Sequence, residues 1–110
     1  MAEAYKNYGL AVTNSETDIY QCPAGTAAIV TTLRVTNIDG TSDDNITAKV
    51  TNSSNTNIAS IAHTISVPAD TSIELAGDSK IFLEAEDKIR LTGGASSGDL
   101  MGFISVLEIT

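Results

Sequence analysis

A chain of 110 residues can close one hydrophobic core and is too short for two. Fourteen acidic against six basic side chains leave a formal charge of −8, which argues against recognition of nucleic-acid phosphates and of anionic membrane surfaces. Aromatic residues make up only 5% and Trp is absent, so the core has to be built from Ile, Val, Leu and Ala.

The first ten residues, MAEAYKNYGL, have neither the apolar stretch nor the basic flank of a secretory leader, and the expectation is assembly in a cytoplasm. No later run approaches the ~18 apolar residues of a membrane helix. Residues 1–8 read either as a terminal arm with Tyr5 and Tyr8 as apolar anchors or as a frayed end, on a single domain spanning 1–110. Tyr8, Leu10 and Val12 alternate with Gly9, Ala11 and Thr13, which predicts a short strand over 8–13. After the Asn14-Ser15-Glu16 turn a second strand runs over 17–22, with Ile19 or Tyr20 inward. Pro23-Ala24-Gly25 then predicts a type I turn.

The longest strand signal is TAAIVTTLRVTN, residues 26–37, free of Gly, Pro and Asp. Strict alternation puts Ala27, Ile29, Thr31, Leu33 and Val35 on a packed face, and Ala28, Val30, Thr32, Arg34 and Thr36 on a partly covered one. The polar loop IDGTSDDN follows, then a half-exposed strand with Ile46, Ala48 and Val50 inward, then the polar loop TNSSNTN. A strand over 58–67 places Ala59, Ile61, His63, Ile65 and Val67 on one side. Pro68-Ala69-Asp70-Thr71 repeats the chemistry of Pro23-Ala24-Gly25-Thr26.

Three short strands over 72–75, 80–84 and 88–92 carry inward pairs Ile73 and Leu75, Ile81 and Leu83, Ile89 and Leu91, and the loop GGASSGD precedes a last strand over 100–109. That strand is apolar on both sides, with Met101, Phe103, Leu107 and Ile109 opposed to Leu100, Ile104 and Val106. A strand of this kind is central in its sheet, and in a thin sandwich its second cover can be another subunit. Tyr5, Tyr8, Met101 and Phe103 are therefore the candidate interaction residues, with room for a homo-oligomer. The fold class is all-β, an antiparallel β-sandwich of about eight strands, with jelly-roll and immunoglobulin-like orders both open.

Chemistry is sparse. His63 is the single histidine, which excludes a multi-histidine metal site, and nothing like G-x-S-x-G accompanies it. Cys22 is the single cysteine and reads as a small buried apolar residue. Asp39, Asp43, Asp44 and Asn45 lack the spacing of a calcium loop, and Glu84, Glu86 and Asp87 lack the aromatic platforms of a glycosidase. Gly93, Gly94 and Gly98 do not form a phosphate loop. The residues predict no enzyme, no metal and no cofactor.

Four segments in order, CPAGTAAIVTTLRVTN, VPADTSIEL, IFLEAEDKIRLTG and FISVLEI, resemble small β-sandwich virion proteins of tailed bacteriophages, especially marine and cyanobacterial phages. The resemblance runs from Cys22 to Ile109. It implies a non-catalytic accessory protein of the virion, a decoration or cement protein on the capsid exterior, whose partners are the major capsid protein or other virion proteins. A tail, neck or fibre-associated module is the nearest rival. A glycan-binding adhesion module, with the loops IDGTSDDN, TNSSNTN and GGASSGD forming its site, is the alternative of a different class.

Overall fold

The computed structural model describes residues 3–76, 80–94 and 99–110; the predicted turn at 77–79 and residues 95–98 of GGASSGD lie outside them. The described residues form nine strands and no helix: β1 (Glu3–Val12), β2 (Thr17–Gln21), β3 (Ala27–Asn37), β4 (Asp44–Thr51), β5 (Asn57–Val67), β6 (Ser72–Glu74), β7 (Ile81–Leu83), β8 (Lys88–Gly93) and β9 (Leu100–Ile109). One sheet has the order β1-β9-β3-β6, with β7 also on β3; the other has the order β2-β8-β4-β5. β6 pairs with residues 34–36 of β3 and β7 with residues 28–30, so the two are one interrupted strand and the sandwich has eight strand positions. Every pairing is antiparallel. Counted that way, the order is that of a jelly roll, two interleaved Greek keys, and not the hairpin-neighbour order of an immunoglobulin domain.

Strict alternation fails in β3. Ala28 and Val30 are buried, and so are Leu33, Val35 and Asn37. The register against β9 shifts between Val30 and Thr32, which makes Thr31 the extra residue of a β-bulge. Its Oγ1 donates to the Ser105 carbonyl at 3.1 Å. The packed face is therefore Ala28, Val30, Leu33 and Val35, not the predicted Ala27-Ile29-Thr31 series, and the bulge is what keeps Arg34 out of the core. A second bulge in β2, between Asp18 and Tyr20, explains why both Ile19 and Tyr20 are buried where alternation allows one.

β5 departs further. Its pairing with β4 shifts register three times, and Thr64 has φ 46, a left-handed conformation rare for a β-branched residue. Only Ala62 and Val67 are buried, and His63 is exposed. The expected apolar face of β5 is therefore broken up along a sheet edge. β9 follows expectation: it lies between β1 and β3, with Leu100, Ile104 and Val106 buried and Met101, Phe103, Leu107 and Ile109 outward. Gly102 shares the inner face, and a Cβ there would sit 2.8 Å from Leu91 Cδ1, so a larger residue would make the Leu91 side chain shift.

The segments 23–26, 68–71 and 84–87 share one turn form. In each, the fourth N–H donates to the first carbonyl, at 3.2, 3.2 and 3.1 Å. Each third residue has positive φ (Gly25 73°, Asp70 59°, Glu86 70°), which fits a type II turn rather than the predicted type I. Asn37, which ends β3, is 1% exposed; its Nδ2 donates to the carbonyls of Val67 (2.9 Å) and Ser42 (3.0 Å), tying the first sheet to the second.

Between β6 and β7 the edge of β3 would be left bare, and Glu74 fills the gap. Its Oε2 accepts from the Leu33 N–H at 2.8 Å and the Ala76 N–H at 3.2 Å. Glu74→Ala strips an acceptor from the backbone of fully buried Leu33, and denaturant unfolding should show a loss of about 1–3 kcal/mol. An unchanged midpoint and slope would show that Glu74 does not hold this break.

Candidate interaction surface

Residues directly opposite in an antiparallel pair share a face, so the registers define what each sheet presents outward. On the first sheet, Tyr5 pairs with Leu107, Leu107 with Ile29, and Ile29 with Phe82, an unbroken apolar row across four strands. Tyr5 is 82% exposed and Phe82 68%. Ile109 and Ala27 extend this row at one end; Phe103, opposite Gly9 and Arg34, and Met101, opposite Ala11 and Thr36, extend the face at the other. Three of the four candidate residues, Tyr5, Met101 and Phe103, thus lie on one outer face. Tyr8 has the opposite parity: it pairs with inward Ile104, and its ring centroid is 5.6 Å from that of Tyr20. Sequence reasoning missed Ile29 and Phe82, because Ile29 is outward only once the Thr31 bulge is known.

The outer face of the second sheet is built from charge. Glu16 pairs with Lys49 at 3.0 Å and with Arg90 at 2.8 Å; Asp18 meets Arg90 Nε at 2.7 Å and Lys88 at 3.6 Å. These cross-strand ion pairs keep that face hydrated. The two outer faces of the sandwich are therefore chemically different, one charged and internally paired, the other apolar.

Of residues 1–8, read as a terminal arm or a frayed end, the described residues 3–8 are strand. Pairing with β9 begins at Glu3, opposite Ile109, so residues 3–8 extend β1 rather than hang free, although residues 3–9 stay exposed.

The carboxylates of the acidic loop are bonded within the chain, except that Asp44 Oδ2 is buried without a hydrogen-bond partner among the described residues. Asp39 Oδ1 accepts from the N–H and hydroxyl of Thr41 (2.8 and 2.9 Å), and the Thr41 N–H in particular holds the Asp39 carboxyl below its ordinary value. Asp43 Oδ1 accepts from the Ala69 N–H (3.0 Å), and Asp44 Oδ1 from the N–H groups of Asn45 (2.7 Å) and Gly94 (3.0 Å). Among the described residues, no three His, Cys, Asp or Glu side chains come together as a metal site. The loops IDGTSDDN and TNSSNTN flank opposite ends of β4, so the proposed three-loop glycan site is not a single site. A shallow depression lined by Tyr8, Asp18, Ile19, Tyr20 and Gln21 does not include His63.

A carboxylate is buried between the sheets. Glu108, 8% exposed, accepts from the Tyr20 hydroxyl at 2.6 Å, with Lys6 Nζ 3.9 Å away. Cys22 is fully buried beside this pair, and its Sγ donates to the Thr26 carbonyl at 3.3 Å.

No family model and no curated protein sequence matches the chain. Its fold is similar to that of solved structures at low sequence identity. A chain of the Bacillus endospore appendages, which form disulfide-linked pili, superposes with a TM-score of 0.59 and 12% identity, over 99% of this chain and 87% of that one. A chain of the T13 IBDV viral particle superposes with a TM-score of 0.56 and 7% identity, over 96% of this chain but only 30% of its own length. Both neighbours are components of assemblies, and at these identities the likeness is one of fold.

Burial, reinforced by the Glu108 hydrogen bond, holds the Tyr20 phenol above its ordinary 10, and burial holds the Cys22 thiol above its ordinary 9. The folded chain keeps both protons where the unfolded chain releases them, so their contribution to stability is complete below the ordinary values, begins to be lost as pH rises past 9 and 10, and goes on falling towards the raised folded values. The unfolding temperature should stay level from neutrality to about pH 8.5 and fall above it. Tyr20→Phe should blunt the fall above pH 10 and cost about 1–3 kcal/mol at neutral pH, because Glu108 loses its donor. A double Tyr20→Phe, Cys22→Ala variant with the full alkaline fall would contradict this account.

Proposed function

We propose that the chain is a non-enzymatic structural subunit of a protein assembly that docks through the outer face of its first sheet. The observation that carries this reading is the row Tyr5-Leu107-Ile29-Phe82. A chain of charge −8 puts only Glu3, Arg34 and Glu74 among the strand residues of that face, and Glu74 is already engaged with backbone N–H groups. Exposed apolar rows poor in charge are what protein partners cover. The pilus and viral-particle neighbours support a role in assembly, and exposed His63 and the internally bonded aspartates give catalysis no foothold.

The more specific reading is a bacteriophage virion protein, a decoration or cement protein seated on the major capsid protein. It rests on the four ordered segments that resemble phage virion proteins. A tail, neck or fibre position fits the same face and differs in copy number. Linkage by a disulfide does not suit this chain, because its single thiol is sealed in the core.

Quantitative composition of purified particles tests the specific reading. A ratio to the major capsid protein near a simple fraction supports decoration, a few copies per particle moves the chain to the tail or neck, and absence overturns the virion reading. Phe82→Glu tests the face itself: Phe82 is largely exposed, so the fold should survive while affinity for the partner falls about 30-fold, as for an aromatic anchor. Undiminished binding by Phe82→Glu would remove the face from the interface.

A further inference from the structure

The sandwich has four strand edges, and three of them are blunted. β5 is broken by three register shifts and the left-handed Thr64; β2 has five residues and a bulge; the edge formed by β6 and β7 is interrupted and capped by Glu74. Such devices stop a sheet from growing. β1 has none of them. Its ten residues pair with β9 without a single register shift, contain no Pro, and expose both faces over residues 3–9. Every second residue of β1 points its N–H and C=O away from β9, ready for another strand.

We infer that β1 pairs antiparallel with β1 of a second copy of this chain across a two-fold axis, joining the two four-position sheets into one. The sequence of the strand selects both the occupant and the register. A two-fold perpendicular to the sheet brings outward residues opposite outward residues, so the axis lies midway between the two copies of one residue. An axis at Tyr5 pairs only residues 3–7, and an axis at Lys6 opposes two ammonium groups. An axis at Asn7 pairs residues 3–11, nearly the whole strand. It sets Lys6 opposite the tyrosine ring at position 8 of the second copy, and Tyr5 opposite its Gly9, where no side chain obstructs the ring. Glu3 and Lys6, the only charges on β1, then face no charge of like sign. For a chain of −8, this near-neutral edge is a place where two copies approach without direct repulsion. The joined sheet also makes the apolar outer faces of both copies continuous. The inference deepens the assembly reading and rests on it, but it concerns contact between copies rather than contact with the partner.

The test is made on the isolated chain. Sedimentation should show a dimer that dissociates on dilution. Asn7→Cys should form a disulfide-linked dimer under mild oxidation, since paired antiparallel residues have Cα atoms about 4.5–5.5 Å apart, within disulfide reach. Ala11→Cys, equally exposed but opposite Glu3, should cross-link less than about a tenth as fast, because its Cα lies far outside that reach. A monomer at every concentration, or equal cross-linking at positions 7 and 11, overturns the pairing. Neither result touches the Phe82 face, whose failure would show instead as undiminished partner binding by Phe82→Glu.

Discussion

The structure depends on one extra residue. β3 is the strand against which β9, β6 and β7 all pair, and it has to bury apolar side chains along its whole length. Its sequence cannot do so in strict alternation, because the parity that buries Ala28 and Val30 would next bury Thr32 and Arg34. The bulge at Thr31 resets the parity, sends Arg34 outward and brings Leu33 and Val35 in. An unpaired guanidinium in such a core would cost several kcal/mol, so the alternative register is closed. The same reset puts Ile29 outward on the row with Leu107 and Phe82, so the bulge shapes the core and the exposed face together.

The sandwich is then two-faced for reasons that can be traced to single pairs. Asp18, Arg90 and Lys49 stand side by side on the second sheet and neutralise one another there. The first sheet has no comparable lattice; its outward positions are Tyr, Leu, Ile and Phe along one row and Met and Phe in two others. Polar ties between sheets sit near the two ends, the Tyr20–Glu108 hydrogen bond at one and Asn37 to Val67 at the other, with aliphatic packing between them. The assembly reading follows from this asymmetry. A sandwich serving only as a solvated module has no need of a charge-poor apolar face.

Much of the fold was legible in the residues. The strand positions, the central place of β9, the inward pairs Ile89 and Leu91, and the turns at Pro23 and Pro68 all follow from local pattern. What was not legible shares one cause: period-two reasoning cannot see a bulge. It failed in β2, β3 and β5, where register against a neighbour overrides alternation. It also started β1 five residues late, because Glu3 to Asn7 is strand only through pairing with β9. Of the candidate residues, Tyr5, Met101 and Phe103 share a face and Tyr8 does not; Phe82, the aromatic with the plainest outward exposure after Tyr5, stands between the inward pair Ile81 and Leu83, and alternation alone puts it outward without showing that it joins a row. The segments that carry the phage resemblance include one turn form used three times, with Ala at its second position and positive φ at its third. They report the sandwich more directly than the particle.

The central claim is that the outer face of the first sheet is covered in the assembled state. Hydroxyl-radical footprinting of the free chain and of the same chain in purified particles measures this side chain by side chain. The account predicts strong protection of Tyr5, Phe82, Met101 and Phe103 on assembly, with His63 on β5 as reactive as before. Protection at His63 with Phe82 left reactive would place the contact on the other sheet and contradict the account.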